Sequence, residues 1–161
     1  MIVTFSVPFV KSKERPRFSR HAYAPKKTKE AETSIRDAYK GACVRRYGHV
    51  VTAPKDVPVT VAVSIRKAAP KSRPRYLPKA VWDVGRWAFT RTIDADNCIK
   101  LVLDALNPIT HYDKATRSTV VDEYVAWHDD SQVTEIHGFK LDYQRGMSER
   151  TYVLVFWKER E

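Results

Sequence analysis

The chain has 161 residues, with 29 Lys and Arg against 19 Asp and Glu and a net charge of +10. That length gives one domain with a real core. No apolar run is long enough to span a bilayer, and the basic excess makes a polyanion the expected partner. Cys43 and Cys98 form no CxxC pair and no zinc-ligand spacing, which excludes a structural zinc site and leaves them as reduced thiols of a cytoplasmic protein.

Val3, Phe5, Val7 and Phe9 alternate with Thr4, Ser6 and Pro8, a strand signature. The same start lacks the basic opening, long apolar centre and small-residue cleavage site of a secretory signal. Residues 11–29 form a basic loop in which cations are interleaved with Phe18, His21 and Tyr23. Such a segment grips phosphates while its rings stack or pack. A solvated loop with its rings in the core fits any single residue nearly as well, so the weight rests on the cluster. From about Thr28 to Tyr47, Ile35, Ala38, Tyr39 and Ala42 make one helical face, and Gly48 is a C-terminal stop. Val57, Val59, Val61, Val63 and Ile65 then alternate as the clearest strand, with Pro58 placing its start at an edge or an end. Residues 67–91 are again basic and proline-bearing, and Trp82 to Thr90 reads as a further strand or an irregular element.

The stretch from Thr92 to Leu106 organises the rest. Asp94 and Asp96 are two apart, so in extended backbone both carboxylates point to one face. A helix follows, capped by Asp96 or Asn97, with Ile99, Val102, Leu103 and Leu106 as its apolar face and Asn107-Pro108 as its stop. Lys100 lies one turn past Asp96. The plain reading is a double cap and a surface i, i+4 pair. The other is half of a metal site. Beyond it, Val120, Val121, Tyr124 and Trp127 are spaced as one face of a short helix. Asp129-Asp130 opens a strand running to Leu141, Arg145-Gly146 marks a turn, and Thr151 to Trp157 is a terminal strand antiparallel to the one before it.

Caps do not need further carboxylates, whereas a Mg²⁺ or Mn²⁺ site does. Asp94, Asp96 and one or both of Asp129 and Asp130 supply such a set. Adjacent strand residues face opposite ways, so the last two contribute equally only if the backbone turns there. Lys100 suits a scissile phosphate. A basic surface holding the backbone and an acidic knot holding a cutting metal is the composition of a nuclease.

Asp94-x-Asp96-Asn97-x-x-Lys100, then Asp104-Ala105-Leu106-Asn107, then Asp129-Asp130-Ser131-Gln132-Val133 resembles the RusA family of Holliday junction resolvases. Lys13-x-Arg15-Pro16-Arg17 and Ala22-Tyr23-x-Pro25-Lys26-Lys27-Thr28 are similar to the N-terminal signature of phage and prophage members. The resemblance implies a mixed α+β domain, a small mixed sheet packed against helices, spanning residues 1–161 with an insertion around 107–128. It implies a homodimeric, Mg²⁺-dependent endonuclease, Mn²⁺ substituting, that nicks four-way DNA junctions in pairs during recombination and repair, bacterial or phage-encoded and with no membrane association. By position, Asp94, Asp96 and Asp130 match the essential carboxylates and metal ligands, Lys100 the essential lysine, and Asp129 a supporting acid. Lys13, Arg15, Arg17, Lys26 and Lys27 are the DNA-binding candidates. Two departures stand out: Ile93 replaces a proline common before the first aspartate, and the link from Asn107 to Asp129 is long.

The remaining polar residues have plainer readings. His111, His128 and His137 are ordinary polar residues, because an oxygen-rich Mg²⁺ site does not need imidazole. Glu135 is an exposed strand acid before it is a second-layer partner, and Asp104, at i+4 from Lys100, is placed to orient that lysine.

Overall fold

Alternating valines build the centre of the molecule. In chain order the elements are β1 (Ile2–Val7), β2 (Arg17–Phe18), β3 (Ala22–Tyr23), α1 (Lys26–Tyr47), β4 (Val59–Arg66), α2 (Lys79–Val84), β5 (Arg86–Trp87), α3 (Ala95–Leu106), β6 (Ile109–Asp113), β7 (Ser118–Glu123), a 3-10 turn (Asp130–Gln132), β8 (Val133–Lys140), β9 (Tyr143–Gln144) and β10 (Arg150–Trp157). They are seen in a computed structural model that describes residues 1–11, 13, 17–18, 22–23, 25–88 and 94–158, and of 17–18 and 22–23 the backbone alone.

Four strands form the main sheet in the order β1-β10-β4-β8. β10 is antiparallel to both β1 and β4, and β4 is parallel to β8. The register aligns Val3 with Val155 and Val155 with Val61, then Phe5 with Val153 and Val153 with Val63. With a side-chain period of two, these residues share one face, and all are buried. Each such side chain contributes about 1.5–3 kcal/mol when taken from water. Helix α1 packs on β1 and α3, and α3 packs on β8. Tyr39 on α1 is fully buried, meets Phe5 edge-on at 5.9 Å and donates its hydroxyl to the Val51 carbonyl at 2.7 Å. Gly48 ends α1 at φ 79°, where a Cβ would strain the backbone, and its N–H bonds the Val44 carbonyl. The result is a mixed α+β single domain, as the sequence implies.

Four expectations change. Trp82 to Thr90 is neither strand nor loop at its start: Trp82 lies on the short helix α2, and β5 pairs with β9. There Trp82, Trp87 and Tyr143 stack in a row, with Arg145 4.4 Å from the Trp82 ring. This side cluster ties the basic excursion to the loop before β10. Residues 109–123 form a two-stranded ribbon, β6–β7, rather than a helix. The run Thr119-Val120-Val121 is β-branched, and its spacing to Tyr124 and Trp127 satisfies a helical period by coincidence. The terminal strand is not beside its predecessor, because β4 lies between β8 and β10. The buried stripe of α3 is Cys98, Leu101, Val102, Ala105 and Leu106, while Ile99 and Leu103 are only partly covered. The helix touches both α1 and β8, so its core side turns between them. Ile99 reaches β8 at Gly138, where a Cβ would stand 2.5 Å from the Ile99 Cδ1. Both cysteines are buried and neither is in a disulfide. No helix among the described residues is long and apolar enough to cross a membrane.

Candidate nuclease site

Three local devices place the candidate residues. The first is the start of α3. Asp94 is the N-cap: Oδ1 accepts from the Asp96 N–H at 3.1 Å, and Oδ2 accepts from Asn97 Nδ2 at 2.8 Å. A carboxylate here also meets the positive end of the helix dipole. One turn on, Lys100 Nζ donates to Asp96 Oδ2 at 2.6 Å. That hydrogen bond, then the Asp96 charge and the more distant Asp94 charge, raise the Lys100 pKa and keep it cationic. The cap is thus Asp94 rather than the expected Asp96 or Asn97, because the helix starts at Ala95, while Asp96 does make the expected i, i+4 pair with Lys100.

The second device is a fully buried tripeptide, Val125-Ala126-Trp127, that returns the chain from the ribbon. The Ala126 N–H bonds the Leu106 carbonyl, and the Ala53 N–H bonds the Ala126 carbonyl. Trp127 Nε1 donates to Asn107 Oδ1 at 2.6 Å. Asn107 thus stops α3 and also anchors the segment that leads to the acidic pair.

The third device is the 3-10 turn at that pair. Asp129 is its N-cap and accepts from the Ser131 N–H at 2.8 Å, while Gln132 Oε1 accepts from the His128 and Asp129 N–H groups, a capping box. The hydrogen bonds from Ser131 hold the Asp129 carboxyl below the usual range. Gln132 is buried and donates Nε2 to the Pro54 and Val57 carbonyls at 2.8 and 3.0 Å. The backbone turns here, so Asp129 and Asp130 are not alternating strand residues. Asp129 is occupied by its cap, whereas Asp130 borders a groove between α3 and the start of β8. Lys100, Asp104 and Asp130 line that groove with Leu103, Trp127 and Ile136.

Lys100 and Asp130 therefore share one groove, and Asp96 joins it through its bond to Lys100. Asp94 stands at the helix start behind Asp96. Among the described residues, no three Asp, Glu, His or Cys side chains are gathered closely enough to hold a metal ion. All three candidate acids offer carboxylate oxygen, the ligand type Mg²⁺ takes.

Asp104 does not orient Lys100. It faces the Lys13 ammonium in an ion pair that is not an aligned hydrogen bond. The Lys13 N–H also bonds the Asn97 carbonyl at 3.0 Å, so Lys13 meets α3 at two points. Glu32 lies in the same charge cluster. Burial, and then the Asp104 charge, raise its pKa against the opposing pull of Lys13 and Arg36. Of the other DNA-binding candidates, Lys26 and Lys27 are exposed in the first turn of α1, a turn without an acidic residue or a side-chain cap. Cations at the positive end of a helix dipole disfavour the helix slightly and attract an anion. Arg15 lies outside the described residues, as do His21, Phe89 and Ile93, and Arg17, Phe18 and Tyr23 are described by backbone alone.

The histidines lie apart from this groove's polar lining. His111 bonds Asp122 at 2.7 Å, His137 bonds Glu135 at 2.9 Å, and the His128 ring packs on Tyr124 at 4.2 Å. Glu135 is exposed on β8 and also accepts from Thr60. Gln132 is a positioning residue to which sequence reasoning gave no role, and Asn107, read there only as the helix stop, also anchors Trp127. The signal for Gln132 was present, since Asp-x-x-Gln is the spacing of a capping box.

No curated protein matches the chain. The family model of endodeoxyribonuclease RusA matches residues 8–155. That span takes in α3, the groove and the 3-10 turn, so the chain belongs to the RusA endodeoxyribonuclease family.

Proposed function

We propose that the protein is a Mg²⁺-dependent endonuclease that resolves four-way DNA junctions by paired nicks, acting as a homodimer in the cytoplasm during recombination and repair. The observation that carries this reading is the groove shared by Lys100 and Asp130, with Asp96 held on Lys100, in a chain of the RusA family. Asp94, Asp96 and Asp130 would hold the metal, and Mn²⁺ would substitute for Mg²⁺. Bound there, the ion would polarise the scissile phosphate and acidify the attacking water.

The residues of the chain do the rest. Asp96 must share or give up its bond to Lys100 to serve as a ligand, which turns the Lys100 ammonium toward the phosphate. There it offsets the negative charge that builds in the transition state. Asp129 fixes the turn that presents Asp130. Lys26, Lys27, Arg15 and Arg17 hold flanking phosphates, while Lys13 is tied to Asp104. The edge of the sheet supports the homodimer. β8 is eight residues long, pairs on one side only among the described residues and exposes Ile136 and Phe139. An open edge of this length pairs with another strand unless it is blocked, and two-fold pairing would set two sites on a two-fold symmetric junction.

A non-catalytic basic binding module is the second reading. The cap bonds of Asp94 favour it, as does the wide spacing of acids among the described residues, where no three gather. Incubation with a labelled four-way junction, with linear duplex as competitor, separates the two. Paired symmetric nicks in Mg²⁺ or Mn²⁺, stopped by chelation, support the nuclease. Binding with no cleavage in either metal supports the module.

A further inference from the structure

The ribbon β6–β7 leaves the end of α3 beside the groove and has no buried residue on either strand. Two strands alone are marginally stable in water, so its order must be built locally. It is built from its acids. Asp113 accepts from the Ala115 and Thr116 N–H groups and from the Thr116 hydroxyl, closing the tip. Asp122 holds His111 across the ribbon, and Glu123 holds Lys40 of α1 at 2.6 Å. Every carboxylate of the ribbon is engaged within the protein.

Its two cations are not. Lys114 and Arg117 are exposed at the tip and have no ion-pair or hydrogen-bond partner among the described residues. Arg117 also sits at φ 52°, the left-handed region where glycine or asparagine is the unstrained choice. A tight turn that carries arginine in that position holds a cation against a backbone penalty. Residues kept in such conformations cluster where the side chain has work to do. The stem spans about 17 Å at the usual strand rise, and a two-stranded ribbon has the width that a DNA major groove admits.

We propose that the β6–β7 ribbon is a second DNA-binding element whose tip cations, Lys114 and Arg117, hold backbone phosphates of a duplex arm of the substrate, away from the scissile bond. The inference rests on the nuclease reading for its choice of branched DNA. A second copy of the chain is the competing occupant, through the uncharged face of Thr110, Tyr112, Thr119 and Val121. That face carries no feature that selects a partner, whereas the tip selects an anion.

The test is binding of the full-length protein to a synthetic four-way junction in EDTA across a salt series, for wild type, Lys114→Ala, Arg117→Ala, the double variant and Arg117→Gly. Each alanine should reduce the slope of log affinity against log salt by about 1, and the double variant should bind about tenfold more weakly. Arg117→Gly should bind as weakly as Arg117→Ala yet melt higher than wild type, because glycine relieves the backbone. A merely structural tip would not separate binding from stability in this way. Wild-type affinity and salt slope in the double variant, in a preparation whose wild type binds and cuts the junction, overturn this inference alone. Loss of dimer by the double variant in sedimentation overturns it in favour of the second copy. A wild type that binds no branched DNA overturns both this inference and the nuclease reading.

Discussion

Lys100 donates to Asp96 across 2.6 Å, one turn back along α3, and the same lysine lines the groove that holds Asp130. The pair thus sits where the helix start and the 3-10 turn border one groove. Asp96→Asn removes the largest cause of the raised Lys100 pKa, so that pKa should fall toward its ordinary 10.5. Ammonium titration followed by NMR reads this shift. Lys100→Gln should lower junction cleavage about 10²-fold, the size of effect seen when one donor to a transition-state charge is lost. A Lys100 pKa unmoved by Asp96→Asn would contradict the pairing.

Gln132 carries the acidic turn. Its side chain serves two N–H groups and two carbonyls while buried. Gln132→Leu leaves those groups without partners, at a cost of about 2–4 kcal/mol. Chemical denaturation measures the loss. Cleavage should fall further than the folded fraction does, because Asp130 loses its placement.

Glu32 gives a pH signature. Burial is the main cause of its raised pKa, so the folded state binds its proton more tightly than the unfolded chain. Stability is therefore lost as pH rises from the ordinary value of 4.5 through the raised one. Glu32→Gln should raise the melting temperature at pH 7 by about 1–3 °C, and the gain should vanish below about pH 4. Melting curves at both pH values decide it. A gain that is the same at both would point to something other than ionisation.

How far the sequence could be read follows from the range of each interaction. The strands expected over Val3–Phe9 and Val57–Ile65 and the helix α3 are written in local period, and they formed as Ile2–Val7, Val59–Arg66 and Ala95–Leu106. The ribbon was missed because Val120, Val121, Tyr124 and Trp127 fit a helical spacing, while the first three stay exposed and Trp127 is buried from an irregular segment. Local pattern cannot say that no core lies beneath them. The role of Gln132 depends on carbonyls 75 and 78 residues away. The pairing of Asp104 with Lys13 spans α3 and the N-terminal segment in the same way. Asp94, Asp96 and Lys100 were legible as neighbours on one helix start. Their relation to Asp130 was not, because it is set by the Trp127–Asn107 bond and the turn that follows.

The most direct test of the central claim is cleavage of a labelled four-way junction in Mg²⁺ by Asp130→Asn, set beside Asp94→Asn and Asp96→Asn. Each variant should bind the junction in EDTA close to wild type and yield no nicks. Wild-type cutting by all three would show that these carboxylates do not carry the reaction.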